Sequence, residues 1–193
     1  MHPIRSLCVF CGSKPGTDPH YHQAAIALGQ GLAANGVALV YGGGRVGLMG
    51  AVADACKDAG GRVIGVIPDF LEKREVGHRE IDELIVVDSM HARKRLMVDR
   101  SDAFAVLPGG FGTLDETFEV LTWAQLSLHA KPVLLLNVGG YWDPLAALID
   151  HMMAKGLVEP RLKGVYQFVD TVPDLLARLT RLPSGGPVAS EKF

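Results

Sequence analysis

Short apolar runs, each stopping at a turn and giving way to a helix-like segment, constrain this chain more than any other feature. Residues 4–11, 37–41, 62–67, 84–87, 103–107, 132–136 and 165–169 read as strands bounded by glycine, proline or charged residues. Between them apolar residues recur at helical spacing. Ala24, Ala25, Leu28, Leu32 and Ala33 mark a helix over 21–34 that Asn35-Gly36 stops; further helices are expected over 49–59, 90–101, 113–128, 144–154 and 172–182. Buried strands alternating with helices specify an α/β, Rossmann-like, doubly wound parallel sheet of about six or seven strands, with helices on both faces. One such domain over residues 1–182 uses nearly all of the 193 residues, and 183–193 are expected to form a flexible tail. Residues 70–83 break the pattern. Charged and weakly periodic, they are expected to form a loop or short helix, long enough to serve as a lid or an interface.

Composition narrows the partners. With 48% hydrophobic and 21% charged residues the chain is an ordinary globular one, but its 23 glycines are in excess and cluster in a few turns. A formal net charge of −2 gives no general attraction to nucleic acid or anionic membranes, so any anion binding has to be local. No run approaches the roughly 18 apolar residues that a membrane span needs, and the apolar start is too quickly interrupted for a signal peptide. Three cysteines, an odd count, argue against a disulfide framework; a cytoplasmic location is expected.

In a parallel sheet, ligands sit beyond the carboxyl ends of the strands, and the glycine turns after the first, second and fifth strands all fall there. The richest of them is Pro108-Gly109-Gly110-Phe111-Gly112-Thr113-Leu114-Asp115-Glu116. Its glycines let backbone approach a ligand closely, and the helix start behind them offers unpaired N–H groups and a positive dipole end to a phosphate. Two readings of Glu116 compete on this pattern. Thr113 and Glu116 spell a capping box, with Thr113 as N-cap and Glu116 reaching back to it; the same placement also sets a carboxylate at the mouth of the crevice, one turn before Glu119.

Other motifs weigh less. Gly42, Gly44 and Gly47 fit the dinucleotide pattern GxGxxG, but after the second strand instead of the first and with no convincing acidic partner for a ribose. Cys8 and Cys11 form a CxxC inside a strand-like run, where residues three apart face opposite ways, so buried core thiols are expected and not a redox pair. His20 and His22 read as surface residues, and no metal-ligand cluster is evident. Met90-His91-Ala92-Arg93-Lys94-Arg95-Leu96-Met97 opens a helix at the carboxyl edge. It is either a solvated basic face or a source of an arginine for the crevice, able to hold a phosphate or a leaving group while charged at any pH.

These motifs together resemble the LOG ("Lonely Guy") family, once widely mislabelled as lysine decarboxylases. Residues 108–116 are similar to its PGGxGTxxE element, Met90 to Lys94 to its MHxRK element, residues 41–50 to its YGGGxxGLMG turn, and Cys11-Gly12-Ser13 to its first loop. Phe111 occupies the variable position. The resemblance implies a hydrolase that cleaves the N-glycosidic bond of cytokinin riboside 5′-monophosphates, and of AMP, to free base and ribose 5-phosphate. It implies Arg93 and Glu116 as a catalytic pair, Gly109, Gly110, Gly112 and Thr113 around the 5′-phosphate with Lys94 in support, and Ser13, Gly43, Gly44 and Met90 as further substrate contacts. No cofactor or metal is implied, and the unit is expected to be a homodimer with partner residues near the base. A non-catalytic nucleotide or molybdenum-cofactor carrier, which shares a similar glycine turn, is the alternative; it would need the glycines but not the Arg93–Glu116 pair. A lysine decarboxylase is disfavoured for want of a clear pyridoxal-phosphate lysine.

Overall fold

The computed structural model describes residues 4–72 and 77–182; the tail expected over 183–193 lies outside them. Seven strands form one sheet: β1 (Ser6–Phe10), β2 (Ala38–Tyr41), β3 (Val63–Pro68), β4 (Glu83–Val87), β5 (Ala103–Val106), β6 (Val133–Leu136) and β7 (Tyr166–Val169). Every pairing is parallel and the order is β4-β3-β2-β1-β5-β6-β7. The chain therefore winds outward from β1 in one direction, then returns to its other side at β5. The switch point lies between β1 and β5, where the register pairs Val9 with Ala105 and Phe10 with Val106.

The expected helices are present: α1 (Pro19–Ala34), α2 (Gly47–Asp58), α4 (Met90–Asp99), α5 (Phe111–Gln125), α6 (Asp143–Ala154) and α7 (Val172–Leu179), together with the short α3 (Asp69–Glu72). Alternate strand residues serve two cores. Leu7, Val9, Leu39 and Tyr41 pack with Leu28, Val52 and Leu175 of α1, α2 and α7 on one face. Cys8, Phe10, Val40 and Phe104 pack with Met97, Val120 and Ile149 of α4, α5 and α6 on the other. This two-sided burial is why the strands read as unbroken apolar runs with no alternation.

Cys8 and Cys11 fall in opposite cores, as residues three apart in a strand must, and both thiols are free and buried. Burial raises the Cys8 thiol well above its ordinary range, and the nearby charge of Glu116 raises it further. It is a packing residue. His20 and His22 are exposed on α1.

The segment after β3 is partly regular. Beyond α3, Gly77 forms an antiparallel bridge to Gly44, and the His78 amide donates to the Gly43 carbonyl at 2.9 Å. The His78 side chain is fully buried and its Nε2 lies 2.8 Å from Asp54 Oδ1 of α2. The segment thus straps down the glycine turn that follows β2.

Candidate active site

A cleft of about 420 Å³ opens at the carboxyl ends of β1, β2 and β5, beside the switch point. Three loops build it and tie to one another. The Gly12 amide donates to the Pro108 carbonyl at 3.0 Å, and the Gly12 carbonyl accepts from the Leu48 amide at 3.0 Å. Gly47, at φ 62°, lies so close to the first loop that a Cβ there would sit 2.4 Å from the Ser13 carbonyl carbon.

Two helix N-termini converge on this cleft, and neither is capped by a side chain. The N-cap of α2 is Val46 and that of α5 is Gly110. The start of α5 leaves first-turn N–H groups and a partial positive charge at the opening, whereas in α2 the Leu48 amide is taken by the Gly12 carbonyl. Glycine at two positions of α5 is not explained by protein packing, since a Cβ at Gly110 or Gly112 would meet nothing within 4 Å. The space above them is open to a ligand. Gly109 differs, because a Cβ there would lie 2.1 Å from Thr113 Oγ1.

Of the two readings of Thr113 and Glu116, the capping box is not the one formed. The helix starts two residues before Thr113, which makes Thr113 its third residue, buried beneath the glycine turn. Gly110 takes the N-cap in an extended conformation, φ −101° and ψ −151°, which glycine adopts readily. Glu116 is thereby one turn into the helix, on the buried stripe that also carries Thr113, Thr117, Val120 and Trp123. A carboxylate on a buried stripe needs a partner, and it has one.

That partner is Arg93. Ser89 caps α4 by accepting from the Ala92 amide, so α4 begins at the carboxyl edge of β4 and directs Arg93 inward. The guanidinium of Arg93, which is 6% exposed, rests on the backbone of β3 and of the turn after β2: Nε donates to the Val66 carbonyl and Nη2 to the Gly42 carbonyl, each at 3.2 Å. Nη1 remains, 3.6 Å from Oε1 of Glu116, itself 8% exposed. At that distance the two charges offset each other's burial without closing a tight hydrogen bond. Both residues line the cleft. The solvated-face reading fails for Arg93; Arg95, half-buried, pairs with Asp99 within its own helix.

Of the other expected contacts, Ser13, Gly109, Gly110, Gly112 and Thr113 line the cleft. Gly43, Gly44, Met90 and Lys94 do not. Gly43 turns toward Ile67 and Leu84, and Gly44 is bridged to Gly77. Met90 reaches Arg93, with Sδ 4.0 Å from Nη1. Lys94, expected to support a phosphate, instead spans α4 and α5 through Asp115 at 3.2 Å and Glu119 at 3.0 Å. It is spent on holding the two helices that carry Arg93 and Glu116. Lys14, Tyr21, Gly42 and Tyr141 also line the cleft. Tyr141 could have been found in the sequence, since it follows Gly139-Gly140 just beyond β6, another glycine turn at the same edge. Among the described residues no group of three or more His, Cys, Asp or Glu side chains could hold a metal ion.

With this geometry in view, relatives are informative. Residues 49–179 match the family described as "Possible lysine decarboxylase". A protein of Oryza sativa subsp. japonica named "Probable cytokinin riboside 5'-monophosphate phosphoribohydrolase LOGL5" is 50% identical over 176 residues, 91% of this chain and 72% of that protein. The chain belongs to the LOG family. A second LOG protein, a cytokinin riboside 5'-monophosphate phosphoribohydrolase of Arabidopsis thaliana, is 46% identical over 91% of this chain and 82% of its own length. Among solved structures, a molybdenum cofactor carrier protein from Chlamydomonas reinhardtii aligns with a TM-score of 0.67 and 25% identity, over 94% of this chain and 98% of the carrier. No helix among the described residues of this LOG-family chain is long and apolar enough to cross a membrane.

Proposed function

We propose that this chain hydrolyses the N-glycosidic bond of cytokinin riboside 5′-monophosphates, and of AMP, to the free base and ribose 5-phosphate. The observation that carries this reading is the buried Arg93–Glu116 pair in the same cleft as the uncapped start of α5. A carrier has use for the glycine turn but none for a buried ion pair beside it.

The 5′-phosphate sits against the first-turn amides of α5, with Gly110 and Gly112 giving the close approach and Thr113 beneath them. Binding energy at that remote group fixes the ribose for the reacting step. The C1′–N9 bond breaks with oxocarbenium character on the ribose; water adds its hydroxyl to C1′ and its proton goes to the departing purine. Glu116 stabilises the cation at C1′ or takes the proton from the water, and Arg93 holds the substrate or stabilises the leaving purine.

The remaining expectations belong to the same reading. A homodimer is supported by α5, whose outer face exposes Phe118 and Leu126 and whose first residue, Phe111, stands 92% exposed at the cleft mouth. A cytoplasmic setting suits three free, buried thiols. A single domain over 1–182 is supported by one sheet with its helices, whose elements run from Ser6 to Leu179.

The test is direct. The protein is incubated with AMP and with isopentenyladenosine monophosphate, and free base and ribose 5-phosphate are separated by chromatography. Equal amounts of both products are expected, with release abolished in Arg93→Ala and Glu116→Ala while both variants keep their fold. Tight nucleotide binding with no base released would instead identify a carrier.

A further inference from the structure

The peptide that joins Gly109 to Gly110 has glycine at both ends. This peptide is trans, so its carbonyl and its N–H point in opposite directions. Which of the two faces a bound anion is therefore decided by one rotation of this peptide, and neither glycine has a side chain to oppose it. The two outcomes differ sharply. One offers an amide hydrogen to a phosphate oxygen, and the other presents a carbonyl oxygen to it.

In this structure the Gly109 carbonyl is held. The Tyr141 hydroxyl donates to it at 2.6 Å. The phenol carries one proton, and this bond uses it. The opposite edge of the peptide, the Gly110 N–H, has no partner among the described residues. It is the amide of the α5 N-cap, beside the open space over Gly110 and Gly112.

Tyr141 is itself rigidly mounted. It follows a 3₁₀ turn (Val138–Gly140) in which Gly139 and Gly140 take φ of 59° and 75°. Its ring stands edge-on to Tyr21, with centroids 5.3 Å apart, and to Trp142, at 4.8 Å. Trp142 is 3% exposed, and its amide donates to Asn137 Oδ1 at 2.7 Å, with Asn137 Nδ2 held by Asp143. The hydroxyl thus reaches the glycine turn from a fixed wall of the cleft.

We propose that Tyr141 is a positioning residue for phosphate binding, locking the Gly109–Gly110 peptide so that its N–H faces the anion and its carbonyl faces away. The inference rests on the reading of this cleft as a nucleoside 5′-monophosphate site. It assigns to the loop after β6 a part in holding the phosphate and no contact with the reacting atoms.

Tyr141→Phe removes one oxygen atom and keeps the ring and its edge-on contacts. Calorimetry with ribose 5-phosphate, AMP and adenine is compared with turnover of AMP for wild type and variant. Affinity for ribose 5-phosphate and AMP, and with it 1/KM, is expected to fall about tenfold, the worth of one hydrogen bond to a charged group. Affinity for adenine and the melting temperature are expected to stay close to wild type. Unchanged affinity for ribose 5-phosphate would overturn the proposal, because the peptide would then hold its orientation unaided. An equal loss of adenine affinity would also overturn it, by showing that the hydroxyl touches the base. Wild-type protein that binds ribose 5-phosphate but releases no base would sink the enzymatic reading and leave this one standing on the binding data. Wild-type protein that binds neither ribose 5-phosphate nor AMP would sink both.

Discussion

The sharpest consequence of the site concerns a residue with no side chain. Gly42 directly follows β2, and its carbonyl accepts from Nη2 of Arg93. A Cβ added there would stand 2.0 Å from that same nitrogen, 3.2 Å from Cζ and 3.3 Å from Met49 Sδ. Gly42 is not among the glycines with positive φ, so alanine fits its backbone and the whole conflict falls on the tip of Arg93. To restore ordinary van der Waals separation the guanidinium has to retreat by about 1.5 Å. Its bonds to Gly42 and Val66 and its approach to Glu116 cannot survive that shift. A displacement on the order of 1 Å at a reacting group costs about 10²-fold in rate, so Gly42→Ala is expected to lower kcat by about that factor. Stability should suffer far less. The tip moves toward the cleft and its water, losing about 1–2 kcal/mol of hydrogen bonding, which for a domain of this size lowers Tm by roughly 2–8 °C. Steady-state turnover of AMP and a thermal melt of the same sample decide the matter. If Gly42→Ala kept kcat within threefold of wild type while Arg93→Ala was inactive, the fixed position of the guanidinium would not be what the reaction needs.

Two further outcomes follow from groups away from the cleft. Lys131 is buried, with Nζ donating to the Val98 carbonyl at 2.8 Å, and burial lowers its pKa from the usual lysine value. Between that lowered value and the ordinary one the unfolded chain binds more protons than the native protein, so this residue makes stability rise with pH across that window. Lys131→Met is therefore expected to be more stable relative to wild type at pH 7 than at pH 10 in urea titrations; a difference that stays constant with pH would refute the sign. On α5, the double substitution Phe118→Glu with Leu126→Glu is expected to turn a dimer into a monomer in sedimentation, with Tm within a few degrees of wild type because both positions are exposed. Wild-type protein that sediments as a monomer at micromolar concentration would sink the dimer.

The fold was legible because parallel strands buried on both faces leave little choice of residue. Runs such as Leu39-Val40-Tyr41 and Phe104-Ala105-Val106 are apolar without interruption, and each is followed by turn residues and then a 3.6-residue period. The strand boundaries drifted by a residue or two, since hydrogen bonding and hydrophobicity do not stop at the same residue: β4 takes in Glu83, and β1 leaves out Ile4. The segment after β3 was not legible. Its order comes from Gly77 and His78 fastening to Gly43, Gly44 and Asp54, all remote in sequence, and no local pattern reports such a partner.

The two readings left open for Thr113 and Glu116 show where local pattern stops deciding. A capping box and a buried carboxylate share the same spacing, and a threonine before an acidic residue satisfies both. What separates them lies three residues upstream. Gly110 already supplies an N-cap, which moves the helix start back and turns Glu116 into the core-facing stripe. A glycine N-cap contributes no side-chain acceptor, so the amides that a threonine would have satisfied are left for a ligand. The same substitution of helix start that strips the cap from α5 also delivers its carboxylate to Arg93. The uncapped amides of α5 and the placing of Glu116 beside Arg93 are thus two results of one helix start at Gly110.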